Sequence, residues 1–168
     1  MKKWWMVAVA AALGAAPAAA QDGTSVSVGY AFAQYLEEGG GNAPLGIYLS
    51  IASPGKVAFD VDLAWHRDSA DVFDDVEGAI TLNTFTAGVG PRFGFGDGSV
   101  HPFLHVLGGL RYDRIEGESN TAWGGMAGLG VDIPTGSSVA FRLGTDFQIF
   151  FDEGTNLKTL RFTGGITF

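Results

Sequence analysis

Eight segments in which apolar and polar residues alternate with period two predict an all-β chain: an eight-stranded antiparallel up-and-down barrel. Two further observations point the same way. After residue 20 no window spaces its apolar residues by three and four, and the 26 glycines, unfavourable inside helices, recur in nearly every candidate element. The connections also alternate long and short, as in a meander whose two termini lie at one end.

The first twenty residues, MKKWWMVAVAAALGAAPAAA, stand apart. Residues 1–20 read as a secretory signal peptide, with Lys2 and Lys3 as the charged start, Trp4 to Ala16 as the apolar stretch and Ala18, Ala19 and Ala20 as the cleavage site. A membrane-spanning helix needs about 20 apolar residues. This run is shorter, rich in Ala and stopped by Pro17. Residues 21–168, opening at Gln21, then form one barrel domain.

The strands follow in order. Segment one, TSVSVGYAFAQYL (24–36), sets Val26, Val28, Tyr30 and Phe32 against Ser25, Ser27, Gly29 and Ala31. Segment two, LGIYLSIA (45–52), alternates Leu45, Ile47, Leu49 and Ile51 with Gly46, Tyr48 and Ser50. In segment three, VAFDVDLAWH (57–66), Val57, Phe59, Val61, Leu63 and Trp65 oppose Asp60, Asp62 and His66. Segment four runs from Ile80 to Phe95, with Phe85, Val89, Phe93 and Phe95 against Thr84, Thr86, Gly88, Gly90 and Arg92. Ile80 and Leu82 are out of phase there, which predicts a bulge near Asn83 or a shorter strand. Segment five, VHPFLHVLGGLRYD (100–113), puts Phe103 and Leu107 opposite Leu104, Val106 and Leu110. Segment six is WGGMAGLGVDI (123–133), with Leu129, Val131 and Ile133 against Gly128, Gly130 and Asp132. Segment seven, VAFRLGTDFQIFF (139–151), opposes Val139, Phe141, Leu143, Phe147 and Ile149 to Arg142, Gly144, Asp146 and Gln148. The last, LRFTGGITF (160–168), carries Leu160, Phe162, Ile166 and Phe168 with Arg161, Thr163 and Thr167 between them. Pairing it with TSVSVGYAF would remove both sheet edges.

SPGK, GDGS and TGSS are short turns; EEGGGNA, RDSADVFDDVEG, RIEGESNTA and DEGTN are longer and acidic. Four long loops opposite three short turns is the asymmetry of an outer-membrane barrel.

Which face points outward decides between a soluble carrier and a membrane barrel. The polar face is filled with small residues rather than Lys and Glu, and an eight-stranded interior has room only for side chains. Its charges balance: Asp60, Asp62, Asp132 and Asp146 against Arg92, Arg111, Arg142 and Arg161. Unpaired buried charges are costly, so equal numbers predict a paired network in the lumen. Position along the strands suggests Asp60 beside Arg92, Asp132 near Arg142 and Asp146 diagonal to Arg161. Aromatics gather at the strand ends, with Trp65, Tyr112, Trp123 and Phe151 near the long loops and Phe93, Phe95, Phe141 and Phe168 near the short turns. The fold expected is therefore a transmembrane β-barrel.

The closing pattern of Leu160, Phe162, Ile166 and a final Phe168 resembles the signal by which outer-membrane proteins are recognised for barrel assembly. With eight strands and a signal peptide, the chain resembles the small outer-membrane barrels of the OmpA/OmpX type and the opacity-protein-like families. Gly164 departs from the pattern by placing no side chain at an apolar position. The resemblance implies the outer membrane of a Gram-negative cell, reached by export through the inner membrane. It also implies contact with outer-membrane lipid, lipopolysaccharide and the barrel-assembly machinery, and a monomer; it implies no activity.

Composition excludes other classes. The formal charge of −8, −10 without Lys2 and Lys3, argues against nucleic-acid binding. There is no cysteine, hence no disulfide or lipid-modified Cys. Lipid A deacylases resemble this chain in size and use an outward His-x-Ser with an acidic residue. Here His66 is followed by Arg67, Asp68 and Ser69, His101 by Pro102 and Phe103, and His105 by Val106 and Leu107. His101 and His105 sit four residues apart on one strand face, roughly 13 Å, too far to share a metal. The histidines read as lumen filling. Asp71, Asp74, Asp75 and Glu77 do not match a twelve-residue calcium loop. Neither a catalytic nor a cofactor or metal site is expected. The reading is a non-enzymatic barrel with a structural or surface-interaction role through acidic extracellular loops, Phe73 among their contact points. The alternatives are a lipid-modifying barrel enzyme and a soluble periplasmic lipid-carrying barrel.

Overall fold

The computed structural model describes residues 23–36, 42–70, 80–96, 98–115, 118–135, 138–152 and 155–168. They form β1 (Ser25–Tyr35), β2 (Asn42–Ala52), β3 (Val57–Ala70), β4 (Ile80–Gly94), β5 (His101–Ile115), β6 (Glu118–Pro134), β7 (Ala140–Asp152) and β8 (Thr155–Thr167). Each strand pairs with the next, and the sheet closes. The last strand makes the closure: β8 runs antiparallel to β1 from Ser27 opposite Thr167 to Tyr35 opposite Thr159. The Phe168 N–H donates to the Val26 carbonyl at 2.9 Å, and the Val26 N–H to the Phe168 carbonyl at 3.1 Å. A backbone edge left open in lipid would strand polar groups at several kcal/mol each, and closure removes that cost.

The apolar face points outward. Val57 is 70% exposed and Trp123 67%, with Phe59, Leu104, Leu129, Phe141 and Phe151 also on the outer wall. A soluble carrier would turn these residues inward, so that alternative falls. The opposite face holds Asp60, Asp62, Arg92, Arg111, Asp132, Arg142, Asp146 and Arg161, all buried. β5 follows the same rule. Phe103, His105, Leu107 and Arg111 point into the bore, and Leu104, Val106 and Tyr112 point out.

Two expectations need correction. β4 carries no bulge near Asn83, because its register with β3 is continuous from Val57 opposite Phe93 to Ala70 opposite Ile80. Leu82 keeps the inward parity of Thr84 and Thr86 near the top of the strand, where apolar and polar positions no longer have to alternate. The register shift instead falls between Phe32 and Ala33, where β1 meets β2. Second, RIEGESNTA and DEGTN are mostly strand. Ile115 pairs with Glu118 and Asp152 with Thr155, so the strands of these two hairpins stay paired as they extend upward. Strands above the lipid band have no apolar face to bury, so their polar composition reads as loop. The acidic stretch 71–79, with Phe73, lies outside the described residues.

Candidate functional site in the barrel lumen

Bore-facing positions on all eight strands meet in one hydrogen-bonded assembly. In the half nearer the short turns, Asp60 of β3 takes a hydrogen bond from the Ser50 hydroxyl of β2 at 2.9 Å and faces His105 Nδ1 of β5 at 3.2 Å. The other ring nitrogen of His105 meets Asp146 Oδ1 of β7 at 2.5 Å. Arg161 of β8 donates from Nε to Asp146 at 2.8 Å and from Nη1 to Asp62, back on β3, at 2.7 Å. The chain of contacts β3–β5–β7–β8–β3 is thus a closed ring across the bore. Carboxylates only accept hydrogen bonds, so with both Asp60 and Asp146 ionised both nitrogens of His105 donate and the ring is an imidazolium.

A second layer hangs below. Arg142 of β7 binds Asp132 of β6 bidentately, at 2.7 and 2.8 Å, and donates to Ser50 at 3.1 Å. Arg92 of β4 donates to the same Asp132 at 2.6 Å. β1 joins through Ser27, whose hydroxyl lies 2.8 Å from that of Thr167, which in turn reaches Asp132 at 3.4 Å. Both guanidinium groups lie over the Phe103 ring, Arg92 at 3.8 Å and Arg142 at 4.9 Å, measured ring centroid to Cζ.

The side chains fit because glycines give way to them. A Cβ on Gly128 would overlap Asp146 Oδ1 and stand 2.7 Å from His105 Nε2, and one on Gly130 would overlap the Phe103 ring at Cζ. The space left beside Tyr48, His105 and Arg142 is about 10 Å³, the size of one water. Above the ring, Leu107, Ala122, Met126 and Phe150 fill the bore with an apolar layer. Over that layer Arg111 donates to Asp113 at 2.7 Å, Thr84 donates to the same carboxylate at 2.5 Å, and Tyr35 stacks under Arg111. Below the network the bore widens into a vestibule of about 450 Å³ bordered by Lys56, Arg92, His101 and Asp132.

All eight charged residues read from the sequence face the bore; Asp132 pairs with Arg142 and Asp146 with Arg161 as expected, but one partner and one placement differ. Asp60 takes Ser50 and His105 rather than Arg92, because Arg92 reaches down to Asp132. Asp146 stands directly opposite Arg161 in register, not diagonal to it. Arg111 belongs to the upper cluster with Asp113. Ser50, Phe103, Tyr35 and Asp113 were not foreseen as members, although Phe103 and Asp113 share strand parity with Arg111, and Ser50 and Tyr35 lie on the polar faces of their own strands. Of the assembly-signal positions, Phe162 and Ile166 are exposed on the outer wall and Phe168 is half-buried.

A model of the outer membrane protein beta-barrel domain matches residues 6–168. The chain belongs to that family. Its place is therefore the bacterial outer membrane, with short turns on the periplasmic side and the upper hairpins extracellular. The barrel is similar to Neisserial surface protein A, with a TM-score of 0.65 at 16% identity over 86% of this chain and 96% of that one. It is also similar to Ail, the attachment invasion locus protein of Yersinia pestis, with a TM-score of 0.59 at 16% identity over 86% and 97%. OprG of Pseudomonas aeruginosa gives a TM-score of 0.60 at 9% identity over 86% and 93%. At these identities the likeness is one of fold. No curated protein matches the chain.

Proposed function

We propose that this outer-membrane barrel is a non-enzymatic, non-conducting monomer whose role is structural or one of surface interaction through its extracellular end. The observation that carries the reading is the closed ring Asp60–His105–Asp146–Arg161–Asp62, which spans the bore under an apolar layer. Hydrated ions would have to break several charge-assisted bonds to pass. Reconstitution in a planar bilayer tests it: the wild type gives no steady conductance steps, and a stable pore overturns the reading. Mass spectrometry of lipid A with and without expression tests the absence of catalysis, the expected result being identical spectra. The burial of His66 and His105 inside the barrel, away from lipid, supports that expectation.

In this reading residues 1–20 are removed on export, leaving Gln21 as the first residue. Leu160, Phe162, Ile166 and Phe168 serve as the recognition strand for the assembly machinery. The acidic stretch 68–77 is the part offered to partners outside the cell.

A further inference from the structure

On three adjacent strands the outward apolar run stops at the same level. Trp65 of β3 stands opposite Phe85 of β4, and Phe85 opposite Tyr112 of β5. One outward-facing position further toward the extracellular end, Arg67 stands opposite Asn83 and Asn83 opposite Arg114. Neighbouring strands are about 4.8 Å apart, so the two arginines leave the wall roughly 10 Å from each other with the Asn83 amide between them.

Both arginines are exposed, and among the described residues neither guanidinium makes a hydrogen bond or an ion pair. Their outward-facing neighbours by strand parity, Thr81, Ser119 and Thr121, are uncharged. Among the described residues the nearby carboxylates point the other way. Asp68 and Asp113 follow the lumen parity, and Asp113 is already bonded to Arg111 and Thr84. In a chain of net charge −8, two guanidinium groups side by side on the outer wall, without a partner among the described residues, call for one.

Height identifies that partner. Interfacial aromatics mark the boundary between hydrocarbon and headgroups. Two residues further along a tilted strand lie about 5 Å farther out, among the headgroups. The anions at that level are phosphates, which match the planar arginine fork. Two forks roughly 10 Å apart suit a headgroup with two phosphates better than a single phosphodiester, which one fork saturates. We propose that Arg67, Asn83 and Arg114 form a binding site for the phosphorylated glycolipid of the outer leaflet. The site lies on the outer wall and is independent of the lumen.

The test is a titration of the purified barrel in detergent, read by native mass spectrometry, with diphosphorylated lipid A, dephosphorylated lipid A and phosphatidylglycerol. The wild type is expected to bind the diphosphorylated form at least about tenfold more tightly than the other two. Arg67→Gln and Arg114→Gln each weaken that preference, and the double variant abolishes it while keeping the heat-modifiable gel mobility of the folded barrel. Equal affinity for phosphorylated and dephosphorylated lipid A overturns the proposal, as does equally tight phosphatidylglycerol binding. An unchanged preference in the folded double variant overturns it as well. Should a variant not fold, the wild-type comparison of the three lipids decides alone.

Discussion

Arg142 makes three hydrogen bonds from one buried guanidinium, two to Asp132 and one to Ser50. Replacing it with Met leaves Asp132 with only Arg92 as a cationic partner. Breaking a buried pair from one side costs about 3–5 kcal/mol, so Arg142→Met lowers the temperature at which the folded gel band disappears. Adding Asp132→Leu to that variant recovers part of the loss, since the stranded charge goes with it. His105 supports a sharper test. With the four carboxylates ionised, three arginines (92, 142 and 161) and an imidazolium at His105 balance Asp60, Asp62, Asp132 and Asp146 in the lower lumen. His105→Phe therefore leaves one excess negative charge and destabilises the barrel, and adding Asp60→Asn restores part of the stability; a double variant no more stable than His105→Phe contradicts the count. Gly128→Ala is expected to lower the same melting temperature, because the added methyl collides with the Asp146 and His105 contact.

The terminal strand shows how much of an element can be read in advance. β7 and β8 are legible because their apolar and charged positions contrast strongly, and a charge turned into lipid costs about 2–4 kcal/mol for Arg at the midplane. The upper ends of β5 and β6 are not legible. Above the lipid band either face meets water, so RIEGESNTA pairs as strand with no alternation to announce it. Phe168 contributes its backbone to the β1 seam, and in the proposed function its side chain belongs to the recognition strand. Deleting it should reduce the folded barrel recovered from outer membranes several-fold, measured by heat-modifiable mobility. Refolding of the purified chain in detergent should lose much less, which separates a recognition role from loss of the two seam hydrogen bonds.

Across the whole molecule, the inward charges and their near balance were legible, as were the pairs Asp132–Arg142 and Asp146–Arg161, but the partners of Asp60, Asp62 and Arg92 were not. Sequence position locates a residue along its strand, but a bore this narrow lets side chains reach past their neighbours to a strand two or more away. His105 thereby reaches β3 and β7 at once, and Arg92 reaches Asp132 instead of Asp60. The lipid-phosphate row on β3 to β5 became visible only when the register aligned Arg67 with Arg114. The ring also constrains how the protein is made. Arg161 and Asp62 are 99 residues apart, and Arg142 and Ser50 are 92 apart. Neither contact can form while the sheet lies open, and until then the charges stand exposed on what will become an interior face. Closing the seam and neutralising the lumen are therefore a single event, and a chain arrested with seven strands joined would be unable to rest in the bilayer. The network that fills the lumen of the finished barrel doubles as a checkpoint on its completion.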